Sequence, residues 1–252
     1  SAAAFIQNRR IRRYITKRSL QSDIDAAYLV SGRGHGYINV AGEKVAVAVG
    51  SDFLCDHDFS DASTIVVMGA DRYQQGRIER RYERLAEKAY LADANVVFVN
   101  HIGGSSEIVY DGSSAFFNAK GKAVTLLGSF VEELAFVDTA HTEAEVEIPY
   151  QDKIANVHSA LRLAIGDYFD KKNLDKACLV LSGGIDSSVG AVLLVDALGA
   201  DRVVALQMPK KYSNDHSASD AETLARTLGI ELVTVPLNDI YRSSLDTIIA
   251  AI

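Results

Sequence analysis

The sequence predicts an α/β protein with two differently organised parts. In the first part, short apolar runs separated by tight turns accompany one long amphipathic helix. In the second part, strand and helix patterns alternate regularly, which is typical of a parallel sheet with crossover helices. The composition fits such a fold, because 48% of the 252 residues are hydrophobic and 23% are charged.

The charge and the cysteines of the chain argue against several classes of protein. A net charge of −7 gives no support to a nucleic-acid partner, and the basic run at residues 9–13 is interpreted as a solvated edge or turn. No apolar run approaches the roughly 18 residues of a membrane span, so no membrane partner is expected. Two widely separated cysteines favour a reducing cytoplasm, and Cys178 lies in an apolar run that predicts a core thiol.

Two hairpins are predicted in the first part. The runs at residues 37–40 and 44–49 flank Ala41-Gly42-Glu43, whose glycine suits a tight turn. The runs at residues 114–117 and 123–127 flank a second glycine-containing turn. Antiparallel neighbours are therefore expected at both places.

Three further runs predict strands, and one periodic segment predicts a helix. The run at residues 2–6 ends in polar residues. The runs at residues 64–68 and 95–99 are continuously apolar, as expected of strands buried on both faces. Residues 77–93 carry apolar side chains at helical spacing, with a charged opposite face.

The pattern changes beyond an acidic stretch at residues 141–150, which is interpreted as a linker. It divides the chain into domains at residues 1–140 and 151–252. Apolar residues at helical spacing predict a helix over residues 151–170. Alternating strands and helices are then predicted at residues 177–181, 189–198, 202–207, 218–228 and 231–235, followed by a helix beginning near Ser243.

The most informative string joins a buried strand to a helix. It reads Ser182-Gly183-Gly184-Ile185-Asp186-Ser187-Ser188. The two glycines let the backbone approach a ligand closely, and the start of a helix presents unpaired N–H groups to an anion. The serine hydroxyls can donate to phosphate oxygens, whereas the carboxylate of Asp186 requires a bridging cation, for which Mg²⁺ is the natural choice.

This string resembles the pyrophosphate-binding loop of the PP-loop ATP pyrophosphatases. A second string, which begins Gln207-Met208-Pro209 and continues to Ala221, is similar to a stretch of NAD⁺ synthetases. In those enzymes the residues ending the strand help to seat adenine, which assigns Met208 to the ATP site. The resemblance implies a doubly wound parallel sheet of the adenine nucleotide α-hydrolase type, with ATP and Mg²⁺ as cofactors.

The first part resembles the nitrilase-like (carbon–nitrogen hydrolase) domain that supplies ammonia from glutamine in glutamine-dependent NAD⁺ synthetases. The resemblance implies the C-terminal portion of an αββα sandwich over residues 1–140. It rests on the order and spacing of short strings: Phe5-Ile6-Gln7-Asn8, Lys17-Arg18-Ser19-Leu20, Tyr73-Gln74-Gln75-Gly76-Arg77, Val97-Phe98-Val99-Asn100, Gly103-Gly104 and Val109-Tyr110-Asp111-Gly112-Ser113-Ser114.

The amidase site that this resemblance implies has lost its nucleophile. Such a site needs a cysteine thiolate, a lysine that stabilises the oxyanion and a glutamate general base. Lys17 stands at the lysine position, and Gly50 stands where the cysteine would follow its strand. Arg77 stands at a glutamine-binding position. Cys55 lies five residues beyond Gly50, too far to share the same turn.

Other positions of the amidase site have also drifted. Ser51 replaces a glutamate, Asp23 a tyrosine and Asp71 a serine, whereas the general-base glutamate is expected upstream of residue 1. Loss at several positions indicates a retired amidase site. The chain is expected to be a fragment of a longer protein or a degenerate short relative.

Three functions are compatible with these patterns. The leading interpretation is an NAD⁺ synthetase that amidates deamido-NAD⁺ with ATP, taking nitrogen from glutamine or ammonia, and that forms a homo-oligomer. A second is a catalytically retired segment that binds nucleotide or holds an assembly together. A third is another PP-loop amidotransferase.

Overall fold

The computed structural model describes residues 2–20, 27–32, 36–55, 59, 61–208 and 215–251, without the side chains of 215–217. The chain divides into two compact units, Ser1–Ala160 and Leu161–Ile252, and the division falls inside the helix Lys153–Lys172. The domain limits expected from the sequence stay predictions. Within the described residues, no helix combines the length and the apolar character needed to cross a membrane.

The first unit is built around a six-stranded sheet in the order β10-β9-β6-β5-β4-β3. Strands β4, β5 and β6 are parallel, and the outer pairs are antiparallel. The long helix of this unit, α1, spans Arg77–Ala92. The strands are β1 (Ala2–Gln7), β2 (Arg10–Thr16), β3 (Tyr37–Val40), β4 (Glu43–Val49), β5 (Thr64–Gly69), β6 (Asn95–Asn100), β7 (Ile102–Ser105), β8 (Ile108–Asp111), β9 (Ala115–Phe117) and β10 (Ala123–Leu126).

The two faces of this sheet are covered by different elements. Helix α1 buries a stripe of side chains, among them Ile78 and Leu85, in one core with Ile65 and Val96 of the sheet. On the opposite face, Ile15 of the β1–β2 hairpin packs in a smaller core that contains Val47. The layers therefore run helix, sheet, hairpin, which is a portion of the αββα sandwich expected from the sequence.

Both hairpins predicted in the first unit are present. The turn between β3 and β4 places Ala41 and Gly42 at φ of 53° and 91°, the left-handed backbone that a two-residue hairpin turn requires. The second predicted hairpin is formed by β9 and β10. Helix α1 likewise ends within one residue of its predicted end at residue 93.

Three expectations about the first unit were incomplete or wrong. The basic run, interpreted as a solvated edge or turn, is exposed but lies largely in strand β2. This strand was not predicted, because Ile15 is its one buried side chain and the sequence therefore shows almost no alternation. The β7–β8 hairpin was not predicted, because its short strands contain Gly103 and little apolar surface. Strands β5 and β6 are not buried on both faces, since Met68 and Val99 remain about half exposed.

The second unit contains a three-stranded parallel sheet in the order β11-β12-β13. Helices connect its strands in the βαβ manner expected of this region. Beginning with the helix that spans the division, the elements are α2 (Lys153–Lys172), β11 (Ala177–Val180), α3 (Ile185–Leu198), a short 3-10 turn (Ala200–Arg202), β12 (Val203–Gln207), α4 (Asp215–Leu228), β13 (Glu231–Thr234) and α5 (Asn238–Ala251).

Helices α2, α3 and α4 pack against one face of the sheet. Ala177, Val203 and Ala205 of the strands share a core with Ala191 of α3 and Ala225 of α4. The other face is open in the described part of the unit, where Val180 is 48% exposed. Cys178 lies on that face and is exposed, so the prediction of a core thiol was wrong. An apolar run alone does not tell which face of a strand is covered.

Candidate active sites

The predicted phosphate loop, residues 182–188, lies at the carboxyl end of β11. Buried Leu181 extends the pairing of the sheet by donating its N–H to the carbonyl oxygen of Leu206 at 2.8 Å. Gly183 then has φ of 79°, a left-handed conformation that glycine adopts without strain. Gly184 returns to extended backbone and caps α3. The predicted helix start was therefore four residues too late, and residues 185–188 form the first turn of α3.

The loop serines hydrogen-bond to one another and to the backbone. Ser187 Oγ and Ser188 Oγ each donate to the carbonyl oxygen of Gly184 at 2.9 Å, and Ser182 Oγ lies 3.0 Å from Ser187 Oγ. These bonds use the hydroxyl protons inside the loop. The first N–H groups of a helix have no acceptor within the helix, so the backbone at the start of α3 is the better source of donors for an anion.

Ile185 and Asp186 project from the first turn of α3 and are exposed. Among the described residues, no three His, Cys, Asp or Glu side chains are grouped so that they could hold a metal ion. The loop thus offers a single carboxylate. That donor set does not fit a resident metal, but it fits a Mg²⁺ that keeps its waters and is held mainly by the phosphates of a ligand.

Met208 follows β12 directly and is half-buried. Because β11 and β12 are parallel neighbours with Val180 opposite Leu206, the phosphate loop and Met208 emerge at the same edge of the sheet. Ligands of open α/β sheets bind at this edge. Residues 209–214 of the second string lie outside the described residues.

The end of β12 is fixed by the side chain of Gln207, which is 7% exposed. Its Nε2 donates to the carbonyl oxygen of Ala218 in α4 at 2.9 Å, and its Oε1 accepts from Thr234 Oγ1 at 3.3 Å. One glutamine therefore joins β12, α4 and β13 beside the edge where Met208 emerges.

The first unit places Gly50 at a sharp turn between a strand and a helix. Strand β4 ends at Val49, and Gly50 begins a 3-10 turn that runs to Leu54. The φ of Gly50 is 58°, a left-handed conformation. Catalytic nucleophiles of other α/β enzymes occupy strained turns of this kind. Among the described residues, a β-carbon built on Gly50 would come within 4 Å of Lys17 alone, with Cε at 3.9 Å and Nζ at 4.0 Å. The structure thus brings together the two predicted residues Lys17 and Gly50.

The segment that carries Lys17 is held to this turn by Asp52. The Asp52 carboxylate is buried and accepts the backbone N–H groups of Arg18 at 2.8 Å and Ser19 at 2.7 Å. Cys55 caps the far end of the 3-10 turn, and its thiol lies 3.1 Å from Ser19 Oγ. Asp23, one of the drifted positions, lies outside the described residues.

Arg77 and Asp71 form an ion pair at the neighbouring strand end. Asp71 Oδ1 lies 3.2 Å from Arg77 Nε, and Asp71 Oδ2 lies 3.1 Å from Arg81 Nη1. The negative charge of Asp71, which stands where the family has a serine, is thus neutralised by two guanidinium groups.

Arg81 also binds Asp111, which is fully buried, through both terminal nitrogens of its guanidinium. Burial by itself lowers the pKa of Arg81, but the ion pair with Asp111 outweighs it and the pKa is raised. Burial raises the pKa of the Asp111 carboxyl, and the Arg81 charge opposes that rise. This ion pair could not be predicted from the sequence, because its partners are 30 positions apart and no local pattern joins them.

Comparison with known proteins finds relatives of both parts of the chain. Residues 157–251 match the NAD synthase family. The glutamine-dependent NAD(+) synthetases of Synechocystis sp. and Acinetobacter baylyi are each 29% identical to this chain, over 95% and 88% of its length. Those alignments cover 47% and 42% of the relatives, so the chain spans about half the length of the curated relatives it matches.

Solved structures give the same result for the fold. The glutamine-dependent NAD⁺ synthetase of Acinetobacter baumannii, in complex with ADP, superposes with a TM-score of 0.91 at 28% identity, covering 98% of this chain and 49% of that one. The synthetase of Cytophaga hutchinsonii shares the fold with a TM-score of 0.80 at 17% identity, covering 99% and 52%. These superpositions confirm the expected fold class. By sequence and by fold, the chain is similar to about half of a glutamine-dependent NAD(+) synthetase.

Proposed function

We propose that the protein makes NAD⁺ by amidating deamido-NAD⁺ with ATP. The observation that carries this proposal is the loop from Ser182 to Ser188, which begins a helix at the carboxyl edge of a parallel sheet. The loop lies within the residues that match the NAD synthase family. A relative of the same fold is described in complex with ADP, which supports an adenine nucleotide as the ligand.

The reaction would proceed in two steps at this edge. The nicotinate carboxylate of deamido-NAD⁺ attacks the α-phosphorus of ATP, and pyrophosphate leaves into the donors at the start of α3. Ammonia then attacks the adenylated carbonyl, AMP departs, and the proton lost by nitrogen passes to solvent. In this arrangement Asp186 would hold Mg²⁺ jointly with the phosphates, and Met208 would contact adenine.

Ammonia rather than glutamine is the proposed nitrogen source for this chain. The nitrilase-like unit has the turn and the lysine of an amidase site, but Gly50 supplies no nucleophile. We propose that this unit now serves a structural role in a cytoplasmic homo-oligomer. Its buried core and the ion pairs around Arg81 are features that such a role would retain.

The proposal is tested by assaying the protein at its native length. With ATP–Mg²⁺, deamido-NAD⁺ and ammonium, we expect NAD⁺, AMP and pyrophosphate in equal amounts. With glutamine as the sole nitrogen source, we expect no product above the background from contaminating ammonia. A folded, ATP-binding preparation that forms no NAD⁺ with either nitrogen source would refute the proposed activity. Equal rates with both sources would refute the loss of the amidase.

A further inference from the structure

Asp71 is held rigidly at the carboxyl edge of the first-unit sheet. It follows β5 by two residues, and β5 is the direct neighbour of β4, whose end carries Gly50. Asn100 fixes its backbone from both sides: Asn100 Oδ1 accepts the Asp71 N–H at 2.8 Å, and Asn100 Nδ2 donates to the Asp71 carbonyl oxygen at 3.2 Å. The carboxylate is therefore presented at a fixed place beside the Gly50 turn.

The two arginines that bind Asp71 differ in what they would lose without it. Arg81 is 6% exposed and keeps Asp111 as a partner, so its charge would stay compensated. Arg77 is 40% exposed, and among the described residues its side chain forms an ion pair with Asp71 alone. Removal of the Asp71 carboxylate would leave Arg77 as a solvent-accessible guanidinium, a group that binds carboxylates through directed hydrogen bonds.

The charges of this cluster balance only because Asp71 is present. Arg77 and Arg81 carry two positive charges, and Asp71 and Asp111 carry two negative ones. A partly exposed ion pair such as Asp71–Arg77 contributes little to stability, because water and salt screen it. The main effect of this pair is that the Asp71 carboxylate fills the position in which a ligand carboxylate would otherwise contact two guanidinium groups.

We propose that Arg77 and Arg81 form a carboxylate-binding site that the chain fills with its own Asp71, which thereby excludes ligands with a free carboxylate from this edge. Asp71 is on this basis a specificity-determining residue of the nitrilase-like unit. The inference rests on the proposed function only in treating this edge as a former glutamine site. Glutamine carries a free carboxylate, so it is among the excluded ligands.

The test uses acetate, the simplest carboxylate, and requires no nucleotide chemistry. Acetate binding to wild type, Asp71→Ala and Asp71→Ala/Arg77→Ala is measured by NMR titration at constant ionic strength, with chloride as the competing salt. We expect saturable binding only to Asp71→Ala, with a dissociation constant on the order of 10 mM and at least about tenfold tighter than for wild type. The double variant should lose this binding.

A matched control is the exposed pair of Lys44 and Asp61, whose atoms lie 2.9 Å apart. Asp61→Ala frees the single ammonium group of Lys44 and not a pair of guanidinium groups. It should therefore gain no saturable acetate binding. If Asp71→Ala does not fold, Asp71→Asn keeps the size of the side chain and should show the same gain. Acetate binding by wild type, its absence from the folded Asp71 variants, or its persistence without Arg77 would overturn the proposal. None of these results depends on whether the protein makes NAD⁺.

Discussion

Lys17 faces the glycine that follows β4: a β-carbon on Gly50 would lie 4.0 Å from Lys17 Nζ, within ordinary contact distance. Among the described residues, the turn therefore leaves space for a β-carbon, with a lysine beside that space. If Gly50 stands at the nucleophile position, as the resemblance implies, the thiol is missing from a turn that is still formed. Whether the turn can activate a thiol and whether the site can bind glutamine are therefore separate questions.

Gly50→Cys should give a reactive thiol without glutaminase activity. The neighbouring ammonium group favours the thiolate, so alkylation by iodoacetamide near neutral pH should be about tenfold faster at the introduced thiol than at exposed Cys178. The left-handed backbone should cost about 1 kcal/mol of stability. Ammonia release from glutamine should stay at background, because the Asp71 carboxylate is paired with Arg77 and blocks the binding of a glutamine carboxylate there.

Lys17→Met in the same variant is the control for the source of the reactivity. It should return the alkylation rate at position 50 to that of Cys178, whereas Lys44→Met should not. Measurable glutaminase activity of Gly50→Cys, in a form of the protein that supplies the upstream glutamate, would show that the site is a single substitution from active.

Asp52→Ala should destabilise the first unit. The buried carboxylate accepts the N–H groups of Arg18 and Ser19, and its removal leaves these donors without that partner. We expect the free energy of unfolding in urea to fall by about 2–3 kcal/mol. Asp61→Ala, at an exposed ion pair, should change it by less than about 0.5 kcal/mol. Similar losses in both variants would rule out a specific role for Asp52.

The fold was predictable where buried side chains repeat with a regular period. Strands β5 and β6 and helix α1 combine long apolar patterns with one well-packed core, so local sequence and tertiary packing agree. Strand β2 buries a single side chain fully, and the β7–β8 hairpin is short and glycine-containing, so neither left a readable pattern. In the described part of the chain, β2 pairs with β1 and β7 pairs with β8, in two-stranded sheets that bury few side chains.

The candidate sites likewise contain residues that a local string predicts and residues that it does not. The predicted phosphate loop is one continuous string, and the roles of Lys17 and Gly50 follow from the spacing of short strings, so each could be proposed from the sequence. The cluster of Arg81, Asp111 and Asn100 joins α1, β8 and β6, and its members carry no common motif. The ion pairs of Asp71 with Arg77 and Arg81 depend on side-chain directions in the connection from β5 to α1, which the sequence does not give.

ATP with Mg²⁺ should stabilise the chain against heat through the loop at Ser182. A ligand that binds only the native state at about 100 times its dissociation constant adds about 2.7 kcal/mol to the free energy of unfolding. Asp186→Ala should reduce this stabilisation, because it removes the carboxylate that joins the metal to the loop. Asp201→Ala, beyond the other end of α3, should leave it unchanged. A melting temperature insensitive to ATP in the wild type would contradict nucleotide binding by this loop.

Alkaline pH should destabilise the first unit through Tyr82. Burial raises the pKa of this phenol to about 12, from an ordinary value of 10.0, and its hydroxyl donates to the carbonyl oxygen of Ser113 at 3.3 Å. Between these two values the unfolded chain loses the proton while the folded chain keeps it, so stability is full below about pH 10 and declines as pH rises towards 12. The loss should approach about 3 kcal/mol.

Urea unfolding across this pH range should show a shallower decline for Tyr82→Phe, whereas Tyr90→Phe, at a 68% exposed side chain, should follow the wild type. An identical decline in all three proteins would mean that Tyr82 does not titrate as its burial requires.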